Sequence, residues 1–269
     1  MNPLLQQFHQ QIRLANRESE GGPGIVRDLD GPVRRRYPVT PGASYAMVES
    51  PEGLGDDPDH WIARTAAFFT ARGERVEWKT YSYDEPADLG NRLQSNGFQK
   101  DDDEALLLGE SSALVHDVSL PAGVTLREAD SRQDYHRIQE LMQTIWGPRD
   151  GDMTEELRRE READPTSLDV VLVEQDRETP VLCAAWCRYS PGTDFASMWG
   201  GSTLPRWRRK GIYRSTVTWR AQRAIDRGYR YMRLDTSSDS RPILTKLGLQ
   251  HVADTTPYVH SSPLTLMGD

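Results

Sequence analysis

The 269-residue chain lacks long apolar runs, and no uncharged apolar segment approaches the roughly 20 residues that a membrane-spanning helix needs. Its first twelve residues are rich in glutamine and do not have the pattern of a signal peptide. We therefore expect a cytoplasmic protein with no membrane partner. The hydrophobic fraction of 36% and the charged fraction of 28% are typical of a globular protein with one large domain or two of ordinary size.

Basic residues are outnumbered, with 33 Lys and Arg against 41 Asp and Glu, which gives a net charge of −8. A nucleic-acid-binding protein usually carries an extended basic surface, so we expect no nucleic-acid partner. An acidic chain is compatible with a cationic substrate, although acidity often serves solubility alone.

Cysteine is scarce, and the two residues present, Cys183 and Cys187, lie four apart in an apolar run. On a strand they would share a face with Cα atoms roughly 13 Å apart, which is too far for a disulfide. We expect buried free thiols in a reducing compartment. The six histidines are scattered without the spacing of metal ligands, so the sequence predicts no metal.

Helical and strand patterns alternate along both halves of the chain. In the first half we predict helices at 3–15, 61–72 and 89–96, strands at 44–49, 76–83 and 105–108, and a loop over 20–42. In the second half we predict strands at 124–127, 169–174, 181–189, 195–204 and 229–235, helices at 134–145, 213–227 and 241–247, and strands near His251 and Tyr258. The helix over 213–227 would bury Val217, Ala221, Ala224 and Ile225 on one face.

The two halves have a similar order of elements. Each contains a helix that ends in Arg-Gly, at 72–73 and 227–228, followed by a strand, a loop, a short helix and a glycine before an apolar residue. An internal duplication explains this order, and so does chance recurrence of a common αβα pattern.

The segment between the strand at 195–204 and the next helix is locally basic, with five Arg or Lys among the nine residues of 206–214. Backbone N–H groups at a helix N-terminus can form a concave anion site, and Gly211 would allow close approach of a phosphate. A solvated basic turn is the alternative. Gly200 and Gly201 in the preceding strand favour a β-bulge that separates this strand from the one at 229–235. An N–H group left unpaired there could stabilise a developing oxyanion.

From about Val124 onwards the sequence resembles the GNAT acyltransferase superfamily. The resemblance rests on Thr203-Leu204-Pro205 followed by Arg208-Arg209-Lys210-Gly211-Ile212-Tyr213, and on the tail from Leu234-Asp235 to Gly248-Leu249. It implies an α/β fold with a mixed sheet in a tandem GNAT-like arrangement. Residues 1–119 would be a degenerate copy that does not bind CoA, and residues 120–269 an N-acetyltransferase domain.

The resemblance also implies the residues of an acetyl-CoA site. Backbone amides of Arg208, Arg209, Lys210, Gly211, Ile212 and Tyr213 would hold the diphosphate, and Ser202 and Thr203 would pair with the pantetheine arm. Ser237 and Ser240 would contact CoA, or they could cap the helix that follows. Two positions depart from the family pattern, because Tyr213 replaces a Gly or Ala and Leu244 replaces the tyrosine that protonates the leaving thiolate.

The corresponding turn of the first half, at 51–59, has Gly53 and Gly55 but no basic residue, and it carries four carboxylates that would repel a diphosphate. We therefore expect no CoA binding by that half.

Acyl transfer to an amine calls for a proton acceptor, and Asp235 is the first candidate, with a strand-end cap as its alternative role. Glu174, His251 and His260 are weaker candidates. We expect transfer of an acetyl group from acetyl-CoA to a primary amine of a small molecule, by direct attack in a ternary complex and without an acyl-cysteine. An aminoacyl or longer-chain acyl transferase and a catalytically silent CoA-binding regulator are alternatives, and the sequence leaves monomer or homodimer open.

Overall fold

The computed structural model describes residues 2–15, 24–147, 153–238 and 240–261. The chain divides into two compact units. The first unit contains the residues up to 107 together with 235–243 and those from 251 onwards, and the second contains 108–234 and 244–250. The segment from 251 is thus grouped with the beginning of the sequence. The predicted boundary between residues 119 and 120 stays a prediction about sequence domains.

The first unit contains a mixed sheet in the order β1-β2-β3-β4-β12, in which only β3 and β4 are parallel. Its strands are β1 (Ile25–Asp30), β2 (Val33–Pro38), β3 (Ala46–Glu49), β4 (Val76–Tyr81), the short β5 (Gln99–Lys100) and the long β12 (Gln250–His260), and its helices are α1 (Pro3–Phe8), α2 (Pro58–Ala71) and α3 (Leu89–Ser95). A π-helical segment, His9–Leu14, extends α1. Ile62, Ala66 and Phe69 of α2 are buried in the core, as their helical spacing predicts. The two strand candidates near His251 and Tyr258 are one continuous strand, β12.

The prediction of a loop over 20–42 is wrong for its described part, where β1 and β2 form an antiparallel hairpin. Asp30 pairs with Val33 across a two-residue turn, and Gly31 at the first turn position has a φ of +60°. A glycine at this place is typical of a tight hairpin turn. Charged side chains obscure the strand pattern because they pair with one another, as Arg35 does with Asp28 at 2.7 Å and with Asp30 at 2.9 Å.

The second unit contains a sheet in the order β7-β8-β9-β10-β11, in which only β10 and β11 are parallel. Its strands are β7 (Thr125–Glu128), β8 (Leu168–Glu174), β9 (Cys183–Tyr189), β10 (Phe195–Thr203) and β11 (Tyr231–Thr236), and its helices are α4 (Arg132–Trp146), α5 (Met153–Ala163) and α6 (Ile212–Asp226). Four elements lie at the boundaries between the units in sequence and contribute residues to both, namely β6 (Glu104–Glu110), β11, α7 (Arg241–Lys246) and β12.

Two features of the second unit differ from the sequence predictions. Helix α5 was not predicted, because it is highly charged and buries only Thr154 and Leu157. On α6, Val217, Ala221 and Ala224 are fully buried as predicted, whereas Ile225 is 38% exposed. Ile225 follows the last buried position of the apolar stripe and is rotated out of it.

The order β1-β2-β3-α2-β4-α3 of the first unit has the same sequence of parallel and antiparallel pairings as β8-β9-β10-α6-β11-α7. In both, the helix is followed by a glycine with positive φ, Gly73 at +62° and Gly228 at +84°. This agreement supports an internal duplication. Within the described ranges, no helix is long and apolar enough to cross a membrane.

Candidate functional site

Strand β10 separates from β11 where the sequence predicts a bulge. The parallel pairing of the two strands runs from Phe195↔Tyr231 to Ser197↔Arg233, although β10 continues to Thr203. On its other side, the register of β10 against β9 shifts between Gly200 and Ser202, so that one extra residue lies in β10. The predicted bulge and the predicted separation of the strands are both present.

Both glycines of the bulge are required by close packing. A Cβ atom on Gly200 would lie 2.5 Å from the ring of Trp186, and one on Gly201 would lie 2.5 Å from the ring of Tyr213. Both residues also have positive φ, which glycine adopts without strain. The contact with Gly201 explains how Tyr213 fits where the family pattern has a small residue, since the glycine leaves room for its ring.

The loop after β10 leads into the start of α6 through two residues in the left-handed conformation. A single 3₁₀ turn, Pro205–Trp207, is followed by Arg209 with a φ of 61° and Gly211 with a φ of 81°. Gly211 is the N-cap residue of α6 and provides no side-chain cap. The N–H groups of the first helical turn, beginning at Ile212 and Tyr213, have no intrahelical acceptors. This geometry suits a phosphate, because left-handed residues near a helix N-terminus direct several N–H groups to one point.

The loop is positively charged on its exposed side. Arg206, Arg208, Arg209, Lys210 and Arg214 are all exposed. Lys210 Nζ lies 4.5 Å from the ring centroid of Trp207, and a shallow depression of about 370 Å³ is lined by Gln175, Arg206, Trp207 and Lys210. On its other side, Gly211 faces the backbone of the segment that precedes β7. A Cβ atom on Gly211 would lie 3.3 Å from the Ser119 carbonyl oxygen.

The equivalent helix start in the first unit has the opposite character. Asp57 is the N-cap residue of α2, and its carboxylate accepts a hydrogen bond from the His60 N–H at 3.2 Å. Asp59 adds a second carboxylate in the first turn. A carboxylate thus caps the start of α2, whereas the start of α6 has no side-chain cap. That the first half does not bind a diphosphate stays a prediction.

Ser202 and Thr203 lie on the separated part of β10 with side chains in different environments. The Ser202 hydroxyl accepts a hydrogen bond of 2.9 Å from Trp146 Nε1 at the end of α4. Thr203 is 7% exposed, and its side chain is directed into the unit. Of Thr203, therefore, only the backbone could take part in the predicted pairing with pantetheine. Its carbonyl already accepts a hydrogen bond of 3.2 Å from Arg208 Nε, which leaves its N–H.

The remaining predicted site residues, Asp235, Ser237 and Ser240, belong to the first unit. Asp235 Oδ1 lies 3.4 Å from Lys79 Nζ and accepts a hydrogen bond of 3.2 Å from the Thr255 hydroxyl. Ser237 is exposed, and its carbonyl accepts from the Arg241 N–H at 3.1 Å. The Ser240 hydroxyl is hydrogen bonded to that of Thr236.

Sequence reasoning did not identify the charged cluster around Asp235. Lys79 is 9% exposed and lies 2.5 Å from Glu104. Burial lowers the pKa of Lys79, but the charges of Asp235 and Glu104 outweigh burial and leave that pKa raised. Burial also raises the pKa of Glu77, which Glu104 and Asp235 raise further. The available signal was the charged pair Glu77 and Lys79 at alternate positions of the predicted strand over 76–83.

The weaker candidates for the base are engaged elsewhere. Glu174 pairs with Arg127 at 2.6 Å and with Arg137 at 2.7 Å. His251 lies 2.8 Å from Asp254, and His260 is hydrogen bonded to the Thr70 hydroxyl at 3.0 Å. Leu244, at the position of the family tyrosine, is fully buried.

The two cysteines are buried free thiols on β9, as predicted. Burial raises the pKa of Cys183 to about 11 and that of Cys187 to about 12. Neither thiol is therefore an effective nucleophile near neutral pH. Across the described ranges, no group of three or more His, Cys, Asp or Glu residues is arranged to hold a metal ion.

The chain is an α/β protein with a tandem GNAT-type fold, in which a separated strand, a bulge and a basic loop precede α6. Solved structures have a similar fold. A GCN5-related N-acetyltransferase from Kribbella flavida has a TM-score of 0.68 at 17% identity, over 89% of this chain and 90% of its own. A tandem GNAT protein from the clavulanic acid biosynthesis pathway has a TM-score of 0.61 at 12% identity, over 90% and 84%. A GCN5-related N-acetyltransferase from Sphaerobacter thermophilus has a TM-score of 0.59 at 12% identity, over 86% and 76%.

No family model and no curated protein matches the sequence. The structural similarity therefore confirms the predicted fold, whereas activity depends on the residues of the site.

Proposed function

We propose that this protein is a GNAT-type N-acetyltransferase that transfers an acetyl group from acetyl-CoA to a primary amine of a small molecule. The observation that carries the proposal is the start of α6, where the N-cap residue Gly211 provides no side-chain cap, one basic loop after the separated end of β10. The Arg208 N–H already donates to the Pro205 carbonyl at 3.2 Å, so the backbone N–H groups from Arg209 to Tyr213 would bind the diphosphate, and the basic side chains of the loop, Arg208 included, would add charge. On the separated end of β10, Ser202 and the N–H of Thr203 would pair with the amides of pantetheine.

The proposed reaction is direct attack of the amine on the thioester. The amine nitrogen bonds to the carbonyl carbon, the carbonyl oxygen takes the displaced electron pair, and the C–S bond breaks when the intermediate collapses. The raised thiol pKa values of Cys183 and Cys187 support this route over an acyl-cysteine. Leu244 cannot protonate the leaving thiolate. The thiolate can leave unprotonated near neutral pH, because its conjugate thiol has a pKa of about 8.5. Asp235 is the proposed acceptor of the amine proton.

The test is thiol release from acetyl-CoA by the purified protein in the presence of a panel of primary amines. We expect release that depends on the amine and yields the N-acetylated product by mass spectrometry. If acetyl-CoA binds but no amine increases thiol release, the protein is a CoA-binding regulator and the proposed activity is wrong.

A further inference from the structure

Arg220 of α6 is a buried cation beneath the bulge of β10. Its side chain is 1% exposed. Its guanidinium donates hydrogen bonds to the carbonyl oxygens of Thr216 at 2.9 Å, Trp199 at 3.0 Å and Trp186 at 3.5 Å, and to the Thr216 hydroxyl at 3.4 Å. These acceptors are all neutral. Burial of a charge without an opposite charge is costly, so the position calls for an explanation beyond packing.

The backbone of β10 alternates in the direction of its polar groups. The Ser190 N–H donates to the Phe195 carbonyl from the β9 side, and the Tyr231 N–H donates to the Asp194 carbonyl from the β11 side. Because successive residues of a strand point to opposite sides, the carbonyl of Trp199 points towards β9, as that of Phe195 does. Arg220 contacts it together with the facing carbonyl of Trp186.

The N–H of Gly200 belongs to the same peptide unit as the Trp199 carbonyl. A trans peptide is planar, with its C=O and N–H bonds on opposite sides. The Gly200 N–H therefore points away from Arg220, towards the β11 side. The pairing of β10 with β11 has already ended at Ser197, so this N–H faces the gap between the separated strands.

We propose that Arg220 is a positioning residue that orients and polarises the Gly200 amide, so that this amide stabilises the oxyanion of the thioester. The inference rests on the proposed acetyl transfer. A cationic hydrogen bond to the Trp199 carbonyl fixes the peptide plane, and it increases the donor strength of the N–H at the other end of the plane. When the amine attacks, the former carbonyl oxygen becomes negatively charged and accepts a hydrogen bond from this N–H.

The kinetic test compares Arg220→Met with Arg137→Met. Arg137 is a second buried arginine of the same unit, and its guanidinium donates to the carbonyls of Asp176 at 3.2 Å and Thr179 at 2.6 Å in the β8–β9 connection. It also pairs with Glu174 at 2.7 Å and Asp134 at 3.3 Å, so its loss should cost the fold at least as much as the loss of Arg220. Loss of an oxyanion donor lowers kcat about 10²- to 10³-fold, and we expect Arg220→Met to lower it roughly 10- to 100-fold because the Gly200 N–H itself remains. The KM for acetyl-CoA should change less than about threefold, and Arg220→Lys should restore part of kcat.

A spectroscopic test does not depend on turnover. The Gly200 amide proton should resonate at higher field in Arg220→Met than in the wild type, and Arg137→Met should leave it unchanged. If Arg220→Met does not fold, Arg220→Lys serves the same comparison with a smaller shift. An unchanged Gly200 resonance, or a kcat no lower than that of Arg137→Met per folded molecule, would overturn the role of Arg220. A wild-type protein that acetylates no amine would instead overturn the proposed function, and the resonance would still decide whether Arg220 polarises the Gly200 amide.

Discussion

At the scale of single residues, the proposed acceptor of the amine proton, Asp235, lies in a network of charged and polar side chains. Asp235 shares Lys79 with Glu104, and one of its oxygens also accepts from Thr255. The lysine holds the two carboxylates in place. Because its pKa is raised, Lys79 remains an ammonium across neutral pH and does not itself accept the proton.

Replacement of Asp235 by Asn should therefore lower kcat about 10²-fold or more, as expected for loss of a general base, with little change in acetyl-CoA affinity. Glu104→Gln is the matched control, since it removes the other carboxylate that pairs with Lys79 at 2.5 Å. The pH dependence of kcat is the measurement that separates the two variants. If the Asp235→Asn profile matches that of the wild type, Asp235 has a structural role only.

Single residues also show the limit of sequence reasoning at this site. Arg220 lies three residues after Val217 and four before Ala224, so it shares the buried stripe of α6. That spacing was visible in the sequence, but an arginine on a helix is usually exposed. Its burial depends on carbonyl acceptors from β9 and β10, which only the folded sheet brings together.

At the scale of elements, glycines with positive φ define the bulge and the loop after it. Gly200 and Gly201 within one strand were sufficient to predict the bulge from the sequence. The β1–β2 hairpin was missed because charge pairs replace the apolar alternation on which strand prediction depends. Helix α5 was missed for a related reason, since ion pairs such as Arg158 with Glu155 at 2.6 Å support it in place of a wide apolar face.

The packing of Tyr213 on the bulge can be tested with Gly201→Ala. The added methyl would lie 2.5 Å from the Tyr213 ring, and Gly201 has a φ of 87°. We expect a loss of about 1–3 kcal/mol in the free energy of unfolding, measured with urea.

Gly192→Ala is the matched control for this prediction. Gly192 has a φ of 72°, but a Cβ atom there would have no neighbour within 4 Å. It should therefore show only the smaller cost of backbone strain. Equal destabilisation by the two substitutions would mean that Tyr213 does not constrain the bulge.

At the scale of the whole molecule, two similar units differ in the residue at one helix start. Asp57 caps α2 with a carboxylate, whereas Gly211 leaves the start of α6 without a side-chain cap. The repeated Arg-Gly helix ends pointed to an internal duplication, and the resemblance of the second half to the GNAT superfamily then implied the tandem fold. The grouping of the segment from 251 with the first unit could not be predicted, because it depends on long-range strand pairing that leaves no local pattern.

This difference provides the most direct test of the central claim, that the start of α6 binds the diphosphate of acetyl-CoA. Calorimetric titration of the wild type should show one acetyl-CoA bound per chain. Gly211→Asp reproduces the carboxylate cap of α2, and Gly211→Asn introduces nearly the same shape without charge. Asp and Asn are the residues that best tolerate the left-handed conformation of this position, so both variants should fold.

Repulsion between the new carboxylate and the diphosphate should weaken acetyl-CoA binding by Gly211→Asp at least about tenfold relative to Gly211→Asn, since like charges a few ångströms apart interact by a few kcal/mol near a protein surface. Equal affinities of the Asp and Asn variants, or a wild-type protein that gives no heat of binding, would contradict the account.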